Sequence, residues 1–574
     1  MRTMAWWTLA VLAIGGELGW VPSVKEAPAA EREEKSEMAT QARVFLKDYL
    51  DQFARLEIRA NLAEWRAANS GREQDFAAAA EAALAVRQYH SDPAAYQRVQ
   101  QLRGAAGLSE VEKRSLDLAA LTFRRNQLPP DLLEQMVKRS KEIERLFGTF
   151  RAQVDGQRLS NNQLLERLAK QADSSSRKTL WEGLKQVGPV VADKLVELAE
   201  LRNQAAERLG FANFWEMQIR LQEHDPDPLL AIFGELEQLT RQPFVEMKAE
   251  LDAELARRFR IRPDEMMPWH YDNPFFQAAP PSERINLNEF YAQKSREQIV
   301  QIARQFYHQI GLPADDILRR SDLYEREGKD QHAFCTSINR SEDVRTLCNI
   351  KPTAEWMDTT LHEVGHAVYD VGIDRSLPYN VRQPAHTFTT EGVAMLFGAL
   401  AKTPAWMIQC AGADEDRVRE AAAAIRQQRR REQLIFARWT LVMLHFEKSL
   451  YENPRQDLNR RWWDAVEQYQ MLRRPPQRNQ PDWASKPHFS IAPVYYHNYL
   501  LGELFAAQLR HRIAQLAPPG DAAAELSFVG RRDIGDFLRE NVFQPGGTWP
   551  WPEFVRRATG EPLTAKYFAG EVTR

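Results

Sequence analysis

Two histidines with a glutamate between them form the residue group whose chemistry is clearest. His362 and His366 are four positions apart, with Glu363 directly after the first, in the pentad His-Glu-Val-Gly-His. A helix turns once in 3.6 residues, so both imidazoles would leave the same face and could bind one Zn²⁺ together. Glu363 would then lie beside the open coordination position, where a general base acts. The spacing therefore predicts a catalytic zinc site rather than two unrelated surface histidines.

A catalytic zinc needs a third protein ligand, and a downstream carboxylate is the best candidate. A histidine six residues after the second one is excluded, because position 372 is a glycine. Glu391 lies in Thr-Thr-Glu-Gly-Val-Ala-Met, early in a second predicted helix. Asp370, one turn beyond His366, is the alternative, although its position suits a hydrogen bond to a ligand better than metal binding. We expect one Zn²⁺ per chain, bound by His362, His366 and Glu391.

The pentad belongs to a predicted helix that begins after Pro352, with Thr353 as its N-cap, and ends near Gly372. Apolar residues recur along it at helical spacing and would form its buried face: Met357, Leu361, Val364 and Val368. Upstream, residues 332–350 carry β-branched side chains on both sides of Asn-Arg-Ser-Glu-Asp. This pattern predicts a β-hairpin next to the zinc helix.

The rest of the chain has mostly helical patterns. Apolar periodicity of helical type recurs in five stretches: 75–87, 176–209, 295–310, 414–450 and 495–516. Strand-like sequence is scarce, and no repeat of fixed period is present. We predict a mainly α fold, large, two-lobed and helical, with a deep central cleft and a small hairpin beside the zinc helix. Residues 41–574 would form a single catalytic domain.

Charge and the N-terminal sequence limit the partners and the compartment. The 574 residues include 76 basic and 79 acidic ones, a balance that argues against a nucleic-acid partner. Arg2 and the apolar run 4–16 predict a signal peptide over residues 1–29, followed by a polar leader at 30–40. We expect export to the periplasm or the medium, without stable membrane integration after cleavage. An uncleaved anchor is the alternative.

The three cysteines are Cys335, Cys348 and Cys410, and none of them forms Cys-x-x-Cys. A thiolate zinc site is therefore excluded. In an exported protein, Cys335 and Cys348 could form a disulfide, while free buried thiols fit the sequence equally well. The sequence does not specify an oligomeric state.

Several segments together resemble the angiotensin-converting-enzyme-like peptidyl-dipeptidases, a gluzincin family, over about residues 40–574. The pentad and Glu391 are similar to that family's zinc ligands. His332-Ala333 precedes the pentad by the spacing of the family's substrate-binding His-Ala. Lys486-Pro487-His488 resembles its Lys-x-His motif, and Tyr496-His497-Asn498-Tyr499 its Tyr-x-x-Tyr motif.

The resemblance implies roles at the reacting bond. Glu363 would act as the general base toward a zinc-activated water, and Tyr499 would donate a hydrogen bond to the oxyanion. His488 would bind a peptide carbonyl near the scissile bond. Each of these roles places a proton donor or acceptor where charge develops in the reaction.

The resemblance also implies a substrate-binding set. Lys486 and Tyr496 would bind the C-terminal carboxylate of a peptide, His332 a peptide carbonyl, and the backbone of Ala333 the extended chain. A glutamine of the family also binds that carboxylate, and Tyr271 occupies its position here. Tyrosine can still donate a hydrogen bond to a carboxylate.

Three further positions depart from the family pattern. Met395 replaces an acid that orients a histidine ligand, and Val466 and Asn498 replace two arginines that bind chloride in the animal enzymes. We therefore expect activity that does not depend on chloride at these sites. The leading hypothesis is an exported zinc peptidase that releases C-terminal dipeptides from oligopeptides. The alternatives are a gluzincin oligopeptidase that cuts internal bonds and, less favoured, an inactive peptide-binding pseudoenzyme.

Overall fold

The computed structural model describes residues 29–282, 284–516 and 527–573, with side chains from residue 37 onward. The predicted signal peptide lies outside the described residues except for its last residue, Ala29. Residues 30–40, the predicted polar leader, belong to the first helix. None of the helices in the described ranges is long and apolar enough to cross a membrane.

The N-terminal part consists of five helices: α1 (Ala29–Ser70), α2 (Glu73–His90), α3 (Pro93–Leu102), α4 (Glu110–Arg125) and α5 (Pro130–Thr149). Aromatic rings of α1, α2 and α4 pack in one cluster, in which Tyr49 stacks on Phe53 and contacts His90 and Phe123. Tyr379, far along the chain, packs on the same cluster. It thereby ties these helices to the rest of the protein.

A short hairpin follows, formed by β1 (Ala152–Val154) and β2 (Gln157–Leu159). Its turn residues, Asp155 and Gly156, have positive φ values of 49° and 75°. Asp-Gly is a sequence typical of such tight turns, and the sequence analysis overlooked it. Seven helices come next: α6 (Asn161–Lys170), α7 (Ser174–Lys185), α8 (Val187–Arg208), α9 (Phe214–Leu221), α10 (Pro226–Phe259), α11 (Arg296–Gln309) and α12 (Asp315–Arg320).

The second hairpin is the one predicted from the sequence. β3 (Phe334–Ser337) pairs antiparallel with β4 (Val344–Leu347), and β3 has no other strand partner among the described residues. The turn between them contains Arg340, at φ 51°. Arg340 donates to both carboxylate oxygens of Glu57 on α1, over 2.7 and 2.8 Å, and Tyr379 donates to the same carboxylate over 2.8 Å. The hairpin turn is thus fastened to α1.

The C-terminal half is almost entirely helical, with α13 (Ala354–Gly372), α14 (Thr387–Gly398), α15 (Pro404–Gln409), α16 (Glu415–Glu452), α17 (Leu458–Gln470), α18 (His488–Ile491), α19 (His497–Ala514), α20 (Arg532–Leu538), α21 (Trp551–Thr559) and α22 (Lys566–Val572). Its largest hydrophobic cluster surrounds α13, α14 and α19. The prediction of a mainly α fold with a small hairpin beside α13 is confirmed. One predicted helix, 176–209, is two helices with a break at Gln186. The two-lobed shape and the cleft stay predictions.

Candidate metal centre and substrate site

Helix α13 carries the pentad as the sequence predicts. The Oγ1 of Thr353 accepts a hydrogen bond from the Trp356 amide at 3.2 Å and so caps the helix, which ends at Gly372. The four apolar residues at helical spacing are all buried: Met357, Leu361, Val364 and Val368. Burial of this face fixes the rotation of the helix and thus the direction of its two histidines.

Two glycines let the neighbouring helices approach the pentad closely. A Cβ atom at Gly365 would lie 3.1 Å from the Cα of Ala394 on α14. At Gly392, it would lie 2.9 Å from the carbonyl oxygen of Gly502 on α19. Both distances are shorter than side chains normally tolerate, so glycine is required for this packing. The close contact delivers Glu391, at the start of α14, to the two histidines on α13.

The three predicted ligands converge. The Nε2 atoms of His362 and His366 are 3.2 Å apart, and the Oε2 of Glu391 lies 3.7 and 3.9 Å from them. In a tetrahedral zinc site, ligand distances of ~2.0–2.1 Å separate neighbouring ligand atoms by about 3.3 Å. The observed separations therefore fit one Zn²⁺. No other group of three such side chains in the described ranges has this geometry.

The electrostatics of the group favour a bound cation. Burial lowers the pKa of His362, and burial together with His362 holds the pKa of His366 well below its usual value, so both imidazoles stay in the neutral, metal-binding form. Burial raises the pKa of Glu391 to about 7. Burial, then the nearby Glu391, raises the pKa of Glu363 to about 8. A divalent cation would stabilise both carboxylates in their charged form.

The hydrogen bond that orients His366 involves Thr390, which was not among the predicted site residues. The Nδ1 of His366 lies 2.7 Å from the Oγ1 of Thr390. The prediction that Asp370 orients a ligand histidine is wrong for His366. Asp370 has no part in the three-residue group, and its pKa is raised to about 7 by burial, against the opposing effect of Arg340. In the sequence, the feature that could have pointed to Thr390 is its position directly before the ligand candidate Glu391.

Two of the predicted tyrosines lie at the beginning of α19: Tyr496 directly precedes the helix, and Tyr499 is in its first turn. Tyr499 is half-buried, and both burial and Glu391 raise its pKa. Its ring contacts that of Tyr496, with centroids 5.5 Å apart. Tyr495, which the sequence analysis did not select, packs edge-on against Tyr499 at 5.1 Å, and Glu391 contributes to raising its pKa. Tyr495 and Tyr499 therefore lie close enough to Glu391 for its charge to affect them, and Tyr496 contacts Tyr499.

Lys486 lies beside Tyr496, whose ring also contacts that of Tyr499. Its ammonium group is 5.1–5.4 Å from the ring centroids of Phe275, Trp439 and Tyr496 and is 4% exposed as a residue. Burial lowers the pKa of Lys486 to about 7. The Nζ donates to the Oε1 of Gln277 at 2.5 Å. An ammonium and a side-chain amide are thus paired beside the tyrosines that lead to the metal group.

The comparison with protein families decides the relationship. The family model described as angiotensin-converting enzyme matches residues 36–568 of the chain.

The chain belongs to the angiotensin-converting enzyme family.

Individual relatives are distant. The angiotensin-converting enzyme of Mesocricetus auratus is 20% identical over 418 residues, which are 67% of this chain and 31% of the relative. Carboxypeptidase 1 of Bacillus subtilis (strain 168) is 24% identical over 257 residues, 41% of this chain and 50% of the relative. The angiotensin-converting enzyme of Theromyzon tessulatum is 20% identical over 240 residues, 41% of this chain and 39% of the relative. The matched segments thus cover between 31% and 50% of the length of these relatives.

Tyr271, which takes the place of the family's glutamine in the sequence, is occupied elsewhere in the structure. Its hydroxyl donates to the Oδ1 of Asp252 at 2.8 Å and accepts from the Nζ of Lys248 at 2.7 Å, and the residue is 2% exposed. Gln277, six residues later in the loop after Tyr271, supplies the amide beside Lys486 instead. The expectation for Tyr271 is therefore corrected. A shift of a few residues in an irregular loop is not visible in a single sequence.

His488, at the start of α18, lies against the same aromatic group. Its ring centroid is 5.1 Å from that of Tyr496. Burial, and then the Lys486 ammonium, lower the pKa of His488 to about 4, so the ring is neutral. Its Nδ1 is buried and has no hydrogen-bond partner within the described ranges. This ring nitrogen thus has an unused capacity for one hydrogen bond.

His332 and Ala333 are less tightly placed. The His332 side chain is 93% exposed, and its Nδ1 lies 3.3 Å from the Oδ1 of Asp330. Ala333 directly precedes β3, whose outer edge has no strand partner in the part of the chain that the structure describes. At the other end of β3, the amide of Asn61 on α1 donates to the carbonyls of Ser337 and Ile338 at 3.1 and 3.2 Å. The open edge is therefore limited to the beginning of the strand.

Three further positions bear on expectations from the family pattern. Met395 packs against α19, with its sulfur 3.3 Å from where a Cβ of residue 502 would lie. Asn498 is buried, and its Nδ2 donates to the Oε1 of Gln222 at 2.8 Å. Val466 lines a small cavity together with Lys185.

Cys335, Cys348 and Cys410 are free thiols. The structure therefore has free thiols rather than the disulfide that was the other possibility.

Proposed function

We propose that the protein is a zinc peptidase that releases dipeptides from the C-terminus of oligopeptides. The proposal rests on a series of neighbouring side chains that leads from the metal group to the buried cation. In order, they are Glu391, Tyr499, Tyr496 and Lys486, with Gln277 bonded to Lys486. A fixed cation near a metal site would select a free C-terminus and set the distance from it to the bond that is cut. Family membership supports the peptidase class.

Each side chain of the site would have a defined task. When bound, Zn²⁺ lowers the pKa of a coordinated water and polarises the scissile carbonyl. His362, His366 and Glu391 would hold the ion, with Thr390 fixing the ring of His366. Glu363 would accept the proton of the attacking water at its carboxylate and pass it to the leaving amine.

The substrate would be held by residues on both sides of the scissile bond. Tyr499 would donate to the developing oxyanion, and the Nδ1 of His488 would donate to a peptide carbonyl. Lys486 and Gln277 would bind the terminal carboxylate, with Tyr496 packed between them and Tyr499. Buried polar groups without partners, such as this Nδ1, gain most when a ligand supplies the missing hydrogen bond.

Products from free and amidated peptides test the proposal. An octapeptide with a free C-terminus should release dipeptides in sequence, as seen by mass spectrometry, and its amide should be cut at least about 100-fold more slowly. Equal cleavage of both peptides at internal bonds would instead identify an oligopeptidase. No cleavage of either peptide by the zinc-loaded protein, with peptide binding retained, would identify a peptide-binding pseudoenzyme.

Export is a further part of the proposal. The signal peptide predicted over residues 1–29 motivates it, and sequencing of the mature N-terminus from the native host would test it. A mature protein that begins near residue 30 supports export with cleavage, and one that retains Met4–Gly16 indicates an anchor.

A further inference from the structure

Val494 has a backbone conformation that its side chain disfavours. Its φ is +53°, and β-branched residues rarely adopt the left-handed region because the side chain clashes with the backbone. The residue is 1% exposed, so solvent does not stabilise this turn. Val494 lies between His488 on one side and Tyr496 and Tyr499 on the other. Whatever holds Val494 therefore sets the direction in which the chain enters α19.

Two side chains hold the peptide groups of Val494 from different elements. The Oε1 of Glu447, on α16, accepts from the Val494 amide at 2.8 Å. The Nε2 of Gln222 donates to the Val494 carbonyl at 3.0 Å. Glu447 is 4% exposed, and burial raises its pKa to about 8, although the Val494 amide and Arg202 act in the other direction. A carboxyl group buried at such a cost is unusual unless a polar contact needs it.

Arg202, on α8, holds the segment just before this turn. Its guanidinium donates to the carbonyls of Phe489 and Ser490 at 2.5 and 2.7 Å, and to the hydroxyl of Tyr451 at 2.9 Å. These carbonyls directly follow His488. The segment 488–494 is therefore fastened to α8 at its beginning and to α16 at its end, in both cases by a buried polar side chain.

We propose that Glu447, together with Arg202, is a positioning residue for the reaction: through the strained turn at Val494 it aligns His488, Tyr496 and Tyr499 with the metal group. Within the described residues, no hydrogen bond joins either side chain to those of His488, Tyr496 or Tyr499. The inference rests on the proposed function, because it concerns the residues that would bind the peptide and its oxyanion. Small displacements of such groups reduce the rate strongly, by on the order of 100-fold for about 1 Å.

Two variants of Glu447 separate the hydrogen bond from the volume of the side chain. Glu447→Met keeps the volume and removes the acceptor, and Glu447→Gln keeps an acceptor oxygen. We expect Glu447→Met to lower kcat/KM for a free-C-terminus peptide by about 10- to 100-fold, with both a higher KM and a lower kcat. Glu447→Gln should retain at least about a third of the wild-type value. A Met variant within twofold of wild type, or a Gln variant as impaired as Met, would overturn the proposal.

Amide exchange gives a readout that needs no substrate. Mass spectrometry of peptides spanning 488–499 should show exchange at least about 10-fold faster in Glu447→Met than in wild type, at unchanged zinc content. Unchanged exchange would overturn the proposal even if activity fell. Failure of the proposed function would appear differently, as absence of dipeptide release by the wild-type protein.

A suppressor tests the strain itself. Glycine adopts positive φ without a steric penalty. The double variant Glu447→Met with Val494→Gly should therefore have a kcat/KM at least about threefold higher than that of Glu447→Met alone. No recovery would contradict the role of the strained turn. If Glu447→Met does not yield folded protein, Glu447→Asp replaces it, because its carboxylate is one methylene farther from Val494. We expect the same fall in kcat/KM and the same faster exchange from this variant.

A matched control removes another buried contact of α16. Glu254 on α10 pairs with Arg431 on α16 at 2.7 Å. Glu254→Met should lower stability but leave exchange of segment 488–499 as in wild type. Faster exchange of that segment in the control would show that general loosening explains the effect, and would overturn the specific role of Glu447.

Discussion

The Nδ1 of His366 and the Oγ1 of Thr390 lie 2.7 Å apart, and Thr390 is the residue next to Glu391. Two consecutive residues of α14 would therefore serve one metal site, Glu391 as a ligand and Thr390 as the hydrogen-bond partner of a ligand. With Nε2 bound to a metal, Nδ1 would carry the proton and donate a hydrogen bond to the hydroxyl. The family's acid four residues after the zinc glutamate is not needed for this, which explains how Met395 can occupy its place.

Removal of the Thr390 hydroxyl should weaken metal binding. We expect Thr390→Val, which keeps the shape of the side chain, to lower zinc affinity by about 10- to 100-fold, measured by competition with a chromogenic chelator. Thr390→Ser, which keeps the hydroxyl, is the control and should bind zinc nearly as wild type does. Equal affinity of the Val and wild-type proteins would show that another group orients His366.

Glu363 should be required for hydrolysis but not for metal binding. Glu363→Gln cannot accept the proton of the attacking water, so we expect kcat to fall by about 10²- to 10⁴-fold. Its zinc content, measured by mass spectrometry of the metal, should stay at one per chain, since Glu363 is not among the three ligand residues. Full hydrolytic activity of this variant would exclude the proposed mechanism.

Affinity for a free C-terminus should depend on pH through Lys486. Burial lowers its pKa to about 7, so the ammonium that would bind a carboxylate is present below that pH and is lost above it. We therefore expect KM for a free-C-terminus peptide to rise as pH increases beyond about 7. Amidated peptides, which do not need the ammonium, should lack this rise. The variant Lys486→Met should have a high KM without the same pH dependence.

Activity should not require chloride. Val466 and Asn498 stand where the animal enzymes of the family have arginines, and neither side chain carries a charge. We expect rates that vary by less than about twofold with NaCl when ionic strength is held constant with another salt. A steep rise with NaCl would contradict this. Lys185, which shares a cavity with Val466, would then be tested first, with Lys185→Met.

The contact between α1 and the hairpin turn should contribute to stability. Glu57 and Arg340 form a bidentate, mostly buried ion pair. Burial opposes ionisation of Glu57, but Arg340 and Tyr379 lower its pKa overall. We expect Glu57→Gln to reduce the free energy of unfolding by about 3 kcal/mol at neutral pH. Because the folded-state pKa is depressed, this difference should shrink as pH falls through the carboxylate's range. Denaturant titrations at several pH values would measure it.

Local geometry explains which parts of the site could be predicted. The pentad, its helix and the capping residue Thr353 follow from helical spacing, which depends only on neighbouring residues. The likeness to a known family supplied Glu391, Lys486, Tyr496 and Tyr499 as candidates. The structure brings Glu391 to the two histidines, and the roles of the other three residues stay predictions. These are the residues for which a motif of fixed spacing exists.

The parts that were missed depend on long-range packing. Gln277 reaches Lys486 from an irregular loop more than 200 positions earlier, and Glu447 reaches Val494 from another helix. Neither lies in a motif, and a glutamine or glutamate alone predicts nothing about its partner. Tyr271 was chosen for its place in the sequence, but its hydroxyl is already bonded to Lys248 and Asp252.

The cap that Asn61 places on the end of β3 has a consequence for the behaviour of the protein at high concentration. An unpaired strand edge is a template on which further chains can add and aggregate. Here the strand has four residues, and Asn61 covers the carbonyls of Ser337 and Ile338 at one end. Very short edge strands are one of the ways in which native proteins prevent edge-to-edge pairing. We therefore expect this open edge to resist such aggregation.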